Sequence, residues 1–134
     1  MDAATARARL ASASVGHLAT VTAQGAPHVV PCCFALDGEV IVTAVDAKAK
    51  STLRLRRLDN VRRHPTAALL VDHYEDDWDR LWWVRVEGPA QVREAGPERR
   101  AALEALAAKY PQYRRQEPPG PVIALAVSRW RWWP

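Results

Sequence analysis

The chain has 134 residues, 49% hydrophobic and 25% charged, with a formal net charge of +4. This composition excludes an intrinsically disordered chain and fits one water-soluble globular domain over residues 1–134. The sequence has no apolar secretion signal and no apolar run near the ~20 residues of a membrane helix, and its only cysteines are the adjacent Cys32 and Cys33. We therefore expect a cytoplasmic protein without a membrane partner.

The first half of the chain predicts a short helix followed by strands. Ala, Arg and Leu over Asp2–Ala13 are good helix formers. Gln24-Gly25 and the strong hairpin signal Asp37-Gly38 then separate runs rich in β-branched residues. Three strands are predicted, over residues 16–23, 27–36 and 39–45.

The second half mixes helical and extended patterns. Leu55, Leu58 and Val61 recur at helical spacing and predict a helix from Ser51, which His64-Pro65 ends. A second helix is predicted over 97–109, and strands over 66–73, 81–93 and 121–133. Residues 111–121 are predicted to form a polar loop.

This order of elements predicts a mainly β fold of the α+β class. Short hairpins among the first strands indicate antiparallel pairing. An antiparallel sheet of six strands in one small domain tends to curl into a barrel, since closure removes its exposed edges.

A concentration of positive charge lies just after the third predicted strand. On extended backbone, Lys48 and Lys50 point the same way and can grip one phosphate, while Ser51 and the free amides at the start of the helix donate hydrogen bonds. The alternative is that both lysines are simply solvated. The sequence therefore offers a candidate anion site without deciding it.

Five arginines follow, at positions 54, 56, 57, 62 and 63. They can pair with acidic surface across a subunit boundary or keep a helix solvated. Nucleic-acid binding is disfavoured because the charge is confined to one short helix and no nucleic-acid motif accompanies it.

Six tryptophans form two clusters, and this number is high for the length. In a strand, Trp82 and Trp83 point to opposite faces, and Trp130 and Trp132 share a face opposite Trp133. The set therefore predicts indoles at a ligand face or a subunit interface as well as in the core.

No catalytic side-chain constellation is present in the sequence. The four histidines lack metal-ligand spacing, so no metal is expected, and Cys32 and Cys33 are interpreted as structural. Phosphate-loop and nucleotide-binding glycine motifs are absent. An anion site beside flat aromatic surface, without an acid–base team, suggests chemistry carried by a bound cofactor.

Several motifs together resemble a known family. The runs VGHLATVTAQGAPHVVPCCF, DAKAKS, RLRRLDNVRRHP and VEGPAQV resemble the pyridoxamine 5′-phosphate oxidase-like, FMN-binding split β-barrel proteins. The run LLVDHYEDDWDRLWWVRVEG is similar to a branch that uses the deazaflavin coenzyme F-420. The resemblance covers about residues 10–133.

This resemblance implies an obligate homodimer of split barrels with a cofactor in each groove between protomers. Ten residues match cofactor-binding positions of the family. The phosphate-binding positions are Lys48, Ala49, Lys50 and Ser51, and the positions that line the ring are His28, Pro31 and Thr43. Arg54 and Arg57 match positions that face an oligoglutamate tail, and Trp78 matches one that reaches a groove. Trp78, Trp82 and Trp83 are the candidate substrate-binding residues.

The resemblance implies a coenzyme F-420-dependent reductase that transfers a hydride between the deazaflavin and a conjugated small organic substrate. One alternative is an FMN-binding oxidase or flavin reductase of the same fold, and another is a non-enzymatic carrier of F-420 or flavin. Vitamin B6 oxidation is disfavoured, because the chain lacks the arginine- and histidine-bearing substrate segment near the C-terminus of true pyridoxamine phosphate oxidases.

Overall fold

This computed structural model describes residues 1–45 and 52–134, and in the second range it describes side chains from residue 56 onward. The described residues form eight strands and four α-helices. In chain order these are α1 (Ala3–Ser12), β1 (Gly16–Val21), β2 (Pro27–Cys32), β3 (Ala35–Asp37), β4 (Val40–Ala44), α2 (Thr52–Arg63), β5 (Thr66–His73), β6 (Trp82–Arg93), α3 (Pro97–Lys109), α4 (Pro111–Arg115), β7 (Val122–Ala126) and β8 (Arg129–Trp133). A 3-10 helix, Trp78–Arg80, lies between β5 and β6. The predicted mainly β class is confirmed.

The described strands number eight instead of the predicted six, because two predicted strands are each interrupted. The run 27–36 is divided at Cys33 and Phe34 into β2 and β3. The run 121–133 is divided at a corner, where the amide of Val127 donates to the Glu39 carbonyl (2.8 Å) and the next amide, of Ser128, donates to the Glu87 carbonyl (3.0 Å). Consecutive amides thus bond to different parts of the sheet.

All strand pairs are antiparallel, in the order β2-β1-β5-β6-β7-β4-β3, with β8 also on β6. The long strand β6 joins two half-sheets: its first part pairs with β5 and β8, and residues 90–93 pair with β7. The ends of this order are β2 and β3. They are consecutive in the chain, and the barrel is split between them.

Two apolar clusters fill the structure. The larger lies inside the curved sheet and under α1 and α2, around Phe34, Leu69 and Val84. The smaller lies under α3, where Leu103 and Leu106 pack on β3, β4 and β7. The helices therefore cover the two half-sheets separately, which leaves the split open at one side.

The predicted polar loop at 111–121 contains a helix instead, α4. Pro111 occupies its first turn, where the missing amide hydrogen costs nothing. Tyr113 packs edge-on against Tyr110 with ring centroids 5.6 Å apart, and Arg114 donates to the carbonyls of Ala107 and Ala108 at the end of α3. Tertiary contacts thus stabilise a turn whose polar sequence alone indicated a loop.

Candidate functional site

The break between β2 and β3 is held by side chains instead of by strand pairing. The Thr43 hydroxyl donates to the Cys33 carbonyl (2.7 Å), and the Phe34 amide donates to the Tyr110 hydroxyl (3.0 Å). The Lys109 ammonium donates to the Phe34 carbonyl (2.9 Å) and to that of Ala13 (2.6 Å). Because backbone polar groups near the core need partners, these bonds fix the segment at the split.

A cavity of about 200 Å³ opens beside this segment. It is lined by Val15, Pro31, Cys32, Cys33, Ala44, Arg57 and Tyr113, and we call it the split cavity. Arg57 is only 5% exposed, although it is an arginine on a helix otherwise rich in exposed charge. Its position gives the wall of the split cavity a buried positive charge, which favours an anionic ligand.

Burial sets the titration of the groups around the split. It lowers the pKa of Lys109 to about 8, an effect partly offset by electrostatic attraction to the nearby Cys33 and Cys32. Burial also raises the pKa of Tyr110 to about 12. It raises the pKa of the Cys32 thiol as well, and a hydrogen bond from Thr43 and the positive charge of Arg57 partly oppose this increase. Tyr110 and Cys32 are therefore neutral near pH 7.

The predicted phosphate-binding segment adjoins this cavity in the chain. Lys48, Ala49, Lys50 and Ser51 lie outside the described residues, as does the side chain of Arg54. Ala44, four residues before Lys48, and Arg57, six residues after Ser51, both line the split cavity. The structure thus places both flanks of the predicted anion site at one cavity, and the role of the lysines stays a prediction.

The three predicted ring-lining residues occupy different environments. Pro31 lines the split cavity. Thr43 is 2% exposed and its hydroxyl is directed at the Cys33 carbonyl, so it supports the wall of the cavity from behind. His28 lies opposite Thr20 in the register, nearer the start of β2, and does not line the cavity. Its Nδ1 is buried without a hydrogen-bond partner among the described residues.

The candidate substrate-binding tryptophans are not brought together at the split cavity. Trp78 lies in the connection between β5 and β6 and is 69% exposed. This connection projects past the end of the sheet at which β1 starts. Trp82 packs against the core, stacks on His73 (centroids 6.0 Å apart) and lies under the Arg9 guanidinium at 5.0 Å. Trp83, on the other face, contacts Arg85. Their predicted role in substrate binding stays a prediction.

A larger cleft, of about 720 Å³, lies on the opposite side of β1, β5 and β6. It is part of a broad surface, which we call the outer sheet face, formed by the outward residues of β2, β1, β5, β6 and β8. Val29, Ala19 and Ala68 form a cross-strand apolar row on it, and Val29 is 60% exposed. Among the predicted site residues whose side chains the structure describes, none lines this cleft.

Sequence reasoning missed the residues that build the split cavity from α3 and α4. Lys109 is the last residue of the helix predicted over 97–109 and was given no role in a site, and Tyr113 fell within the predicted loop. Tyr110 gave no sequence signal at all. An apolar pattern cannot show that a lysine at the end of one helix will bond to carbonyls from two distant segments.

Comparison with protein-family models identifies the family. The model described as Pyridoxamine 5′-phosphate oxidase matches residues 3–134. The chain belongs to this family. The family expected from the sequence motifs is thereby confirmed, whereas the deazaflavin branch is a finer assignment. A comparison with curated proteins gave no significant match.

Solved structures of this pyridoxamine 5′-phosphate oxidase-like fold include differently named proteins. A conserved hypothetical protein from Mycobacterium tuberculosis is 22% identical, with a TM-score of 0.79 over 99% of this chain and 84% of that one. A heme binding protein from Mycobacterium smegmatis is 27% identical, with a TM-score of 0.75 over 96% of this chain and 52% of that one. An FAD binding protein from the same organism is 16% identical, with a TM-score of 0.66 over 99% and 95%.

The described residues offer no arrangement of three or more His, Cys, Asp or Glu side chains that could hold a metal ion. Within the same residues, no helix has the length and apolar character needed to cross a bilayer.

Proposed function

We propose that this protein is a coenzyme F-420-dependent oxidoreductase that transfers a hydride between the deazaflavin and a conjugated small organic molecule. Membership of the pyridoxamine 5′-phosphate oxidase family supports a redox cofactor at the split of the barrel. The resemblance of the region 69–88 to the deazaflavin branch supports F-420 over FMN.

The observation that carries this proposal is the buried Arg57 in a cavity that is also lined by Ala44, since these two residues precede and follow the DAKAKS motif in the sequence. Ligand sites usually enclose about 300–1,000 Å³. At about 200 Å³, the split cavity is too small for a tricyclic ring with its tail, but it can take one anionic end of such a molecule. The rest of the cofactor therefore extends out of the cavity in the proposed complex.

In this proposal the protein residues bind and orient. Lys48, Lys50 and Ser51 hold the phosphate, and Arg57 supplies a second, buried positive charge. Pro31 and His28 border the ring, Thr43 fixes the wall behind it, and Arg54 faces the anionic tail. Trp78, Trp82 and Trp83 shape the substrate surface. When bound, the reduced deazaflavin supplies the hydride, so the protein itself needs no nucleophile.

The outer sheet face supports a homodimer, which completes each cofactor groove in this proposal. Its cross-strand row of Val29, Ala19 and Ala68 meets Glu87 on β6, which lies opposite Arg129 on β8. An apolar patch beside charged residues of both signs is suited to a two-fold interface. In this proposal the exposed Trp78 reaches the partner's groove.

A cofactor titration tests the proposal. The purified protein is titrated separately with F-420, FMN, FAD and hemin while tryptophan fluorescence is followed. We expect F-420 to bind at least about tenfold more tightly than FMN, a difference of about 1.4 kcal/mol. Preferred binding of FMN would support the oxidase or flavin reductase alternative, and preferred binding of hemin would contradict both.

Charge reversal separates a phosphate site from general electrostatics. Lys50→Glu should abolish F-420 binding while leaving the thermal midpoint unchanged. Arg63→Glu, at an exposed position of α2, changes the net charge by the same amount and should keep the affinity within a few-fold. Equal affinities of wild type and Lys50→Glu would remove the phosphate assignment.

Turnover distinguishes an enzyme from a carrier. Reduced F-420 is mixed with the protein and a panel of conjugated acceptors, and the oxidation of the deazaflavin is followed by absorbance. An enzyme accelerates this oxidation with at least one acceptor. Tight binding of F-420 without acceleration by any acceptor supports the carrier alternative instead.

A further inference from the structure

Residues 74–81, between β5 and β6, form what we call the aromatic connection, because it presents two aromatic side chains to water. Both Tyr74 and Trp78 are exposed, and Trp78 begins the 3-10 helix that ends at Arg80. From residue 72 to residue 80, Glu75 is the one residue that is not exposed. A carboxylate that is partly withdrawn from water in an otherwise exposed segment needs partners.

Glu75 joins the two ends of the aromatic connection. Its Oε2 contacts Nε2 of His73, the last residue of β5. Its Oε1 lies 3.0 Å from Nε of Arg80, at the end of the 3-10 helix. One carboxylate therefore ties the short helix that begins with Trp78 to the end of a strand.

His73 is in turn anchored to the core. It lies opposite Trp82 in the register of β5 and β6 and stacks on the indole, with 17° between the ring planes. Trp82 packs against the larger apolar cluster, and the Arg9 guanidinium of α1 lies over its ring. A series of contacts therefore connects the core to Glu75 through Trp82 and His73.

We propose that Glu75 is a positioning residue, which holds the 3-10 helix so that Trp78 presents its indole to the substrate in a fixed place. This inference rests on the proposed function, in which Trp78 shapes the substrate surface. Glu75 itself does not touch the substrate, and it acts through Arg80 and the helix. Without the bridge, a substrate must order the aromatic connection as it binds, which weakens its binding.

The bridge contributes little to global stability. The side chains of Glu75, His73 and Arg80 are 31%, 43% and 71% exposed. Ion pairs at such positions change the free energy of unfolding only slightly, because water screens the charges. A positioning role therefore predicts an effect confined to the aromatic connection, with the thermal midpoint almost unchanged.

The test compares Glu75→Ala with Asp76→Ala, which removes the same charge from the next, exposed position. Nuclear magnetic relaxation of the Trp78 backbone amide is measured without cofactor or substrate. In Glu75→Ala we expect the order parameter to fall from about 0.85, the value of a rigid backbone, to below about 0.6. Asp76→Ala should keep the wild-type value, and Glu75→Gln, which retains hydrogen bonding, should recover part of it. An order parameter unchanged in Glu75→Ala would overturn the proposal.

Kinetics relate this positioning to the reaction. With saturating reduced F-420, Glu75→Ala should raise KM for the acceptor by about fivefold and leave kcat within about twofold. Arg80→Gln should act alike, and the double variant should be no worse than Glu75→Ala, since all three lose the same bridge. A lower order parameter with unchanged KM would overturn the role in substrate binding.

Failure of the proposed function would be recognised separately, because the wild type would then turn over no acceptor. The relaxation measurement needs neither F-420 nor an acceptor. It therefore still decides whether Glu75 fixes the place of Trp78.

Discussion

Gly88 is the residue at which the fold leaves least room. A Cβ added there would lie 2.0 Å from the Ala126 carbonyl oxygen and 3.0 Å from the Ser128 amide nitrogen, both of them backbone atoms. This is the corner where β7 ends and the chain turns toward β8. Since backbone at a strand corner cannot move without losing sheet hydrogen bonds, only glycine fits at this position.

We therefore expect Gly88→Ala to lower the free energy of unfolding by about 3 kcal/mol. Gly120→Ala is the control, because the nearest atom to its added Cβ is the Val45 Cβ at 4.0 Å. That change should be neutral or slightly stabilising. Urea unfolding of both variants measures the difference, and equal stabilities would show that the corner can relax.

Lys109 is a second residue whose environment makes a measurable prediction. Burial lowers its pKa from 10.5 to about 8. Between these values the unfolded chain binds more protons than the folded one, so this group makes stability increase as the pH rises from about 8 to 10.5. Below pH 8 both states carry the charge, and the unfavourable burial of that charge is fully present.

Nuclear magnetic resonance can follow this titration directly, since the chain has three lysines. The Cε signal that disappears in Lys109→Arg is assigned to Lys109. In the wild type we expect this signal to titrate near pH 8. Titration of the same signal above pH 10 would mean that water reaches the ammonium freely.

At the scale of elements, a buried polar pair connects α2 to the sheet. Asn60 Nδ2 donates to the Thr20 hydroxyl on β1 at 3.1 Å, and both residues are 3% exposed. The sequence predicted a helix that His64-Pro65 ends, and the structure shows one helix through Arg63. This pair matters for the site because α2 also carries Arg57.

Thr20→Val should lower the free energy of unfolding by about 1–3 kcal/mol, because it leaves the buried Asn60 amide without an acceptor. The double variant Thr20→Val with Asn60→Leu should recover part of this loss. Thermal and urea unfolding of both single variants and the double variant measure the coupling. Additive losses would show that each polar group finds another partner.

The elements that sequence could predict are those set by local periodicity and turn chemistry. Asp37-Gly38 fixes a hairpin by itself, since Gly38 adopts φ +62°. The breaks at Cys33–Phe34 and at Val127–Ser128 could not be predicted. Both segments are apolar enough to continue a strand, and apart from Thr43 the residues whose contacts interrupt them lie about 40 to 90 positions away.

At the scale of the whole molecule, the fold class and family followed from the sequence, but the site did so only in part. Pro31 and Arg57 were predicted from motifs and line one cavity. Tyr113 reaches that cavity, and Lys109 the neighbouring break at Phe34, from a distant part of the chain. A constellation assembled by the packing of α3 against β3 and β4 depends on long-range geometry that no local pattern encodes.

The outer sheet face makes the last prediction, because it concerns how two such molecules assemble. Val29 is 60% exposed at the centre of β2 and continues an apolar row through Ala19 and Ala68. In the proposed homodimer this row is buried. A charge at Val29 then lacks a partner in a desolvated interface, whereas in a monomer it remains in water at little cost.

Val29→Glu should therefore convert a dimer into a monomer while changing the thermal midpoint of the isolated subunit little. Ala101→Glu, which adds the same charge at an exposed position of α3, should leave the dimer intact. Light scattering coupled to size-exclusion chromatography measures both masses. Because each proposed groove needs two subunits, Val29→Glu should also weaken F-420 binding, although no proposed cofactor-binding residue has changed. A dimeric Val29→Glu protein would place the interface elsewhere, and a monomeric wild type would require each subunit to bind its cofactor alone.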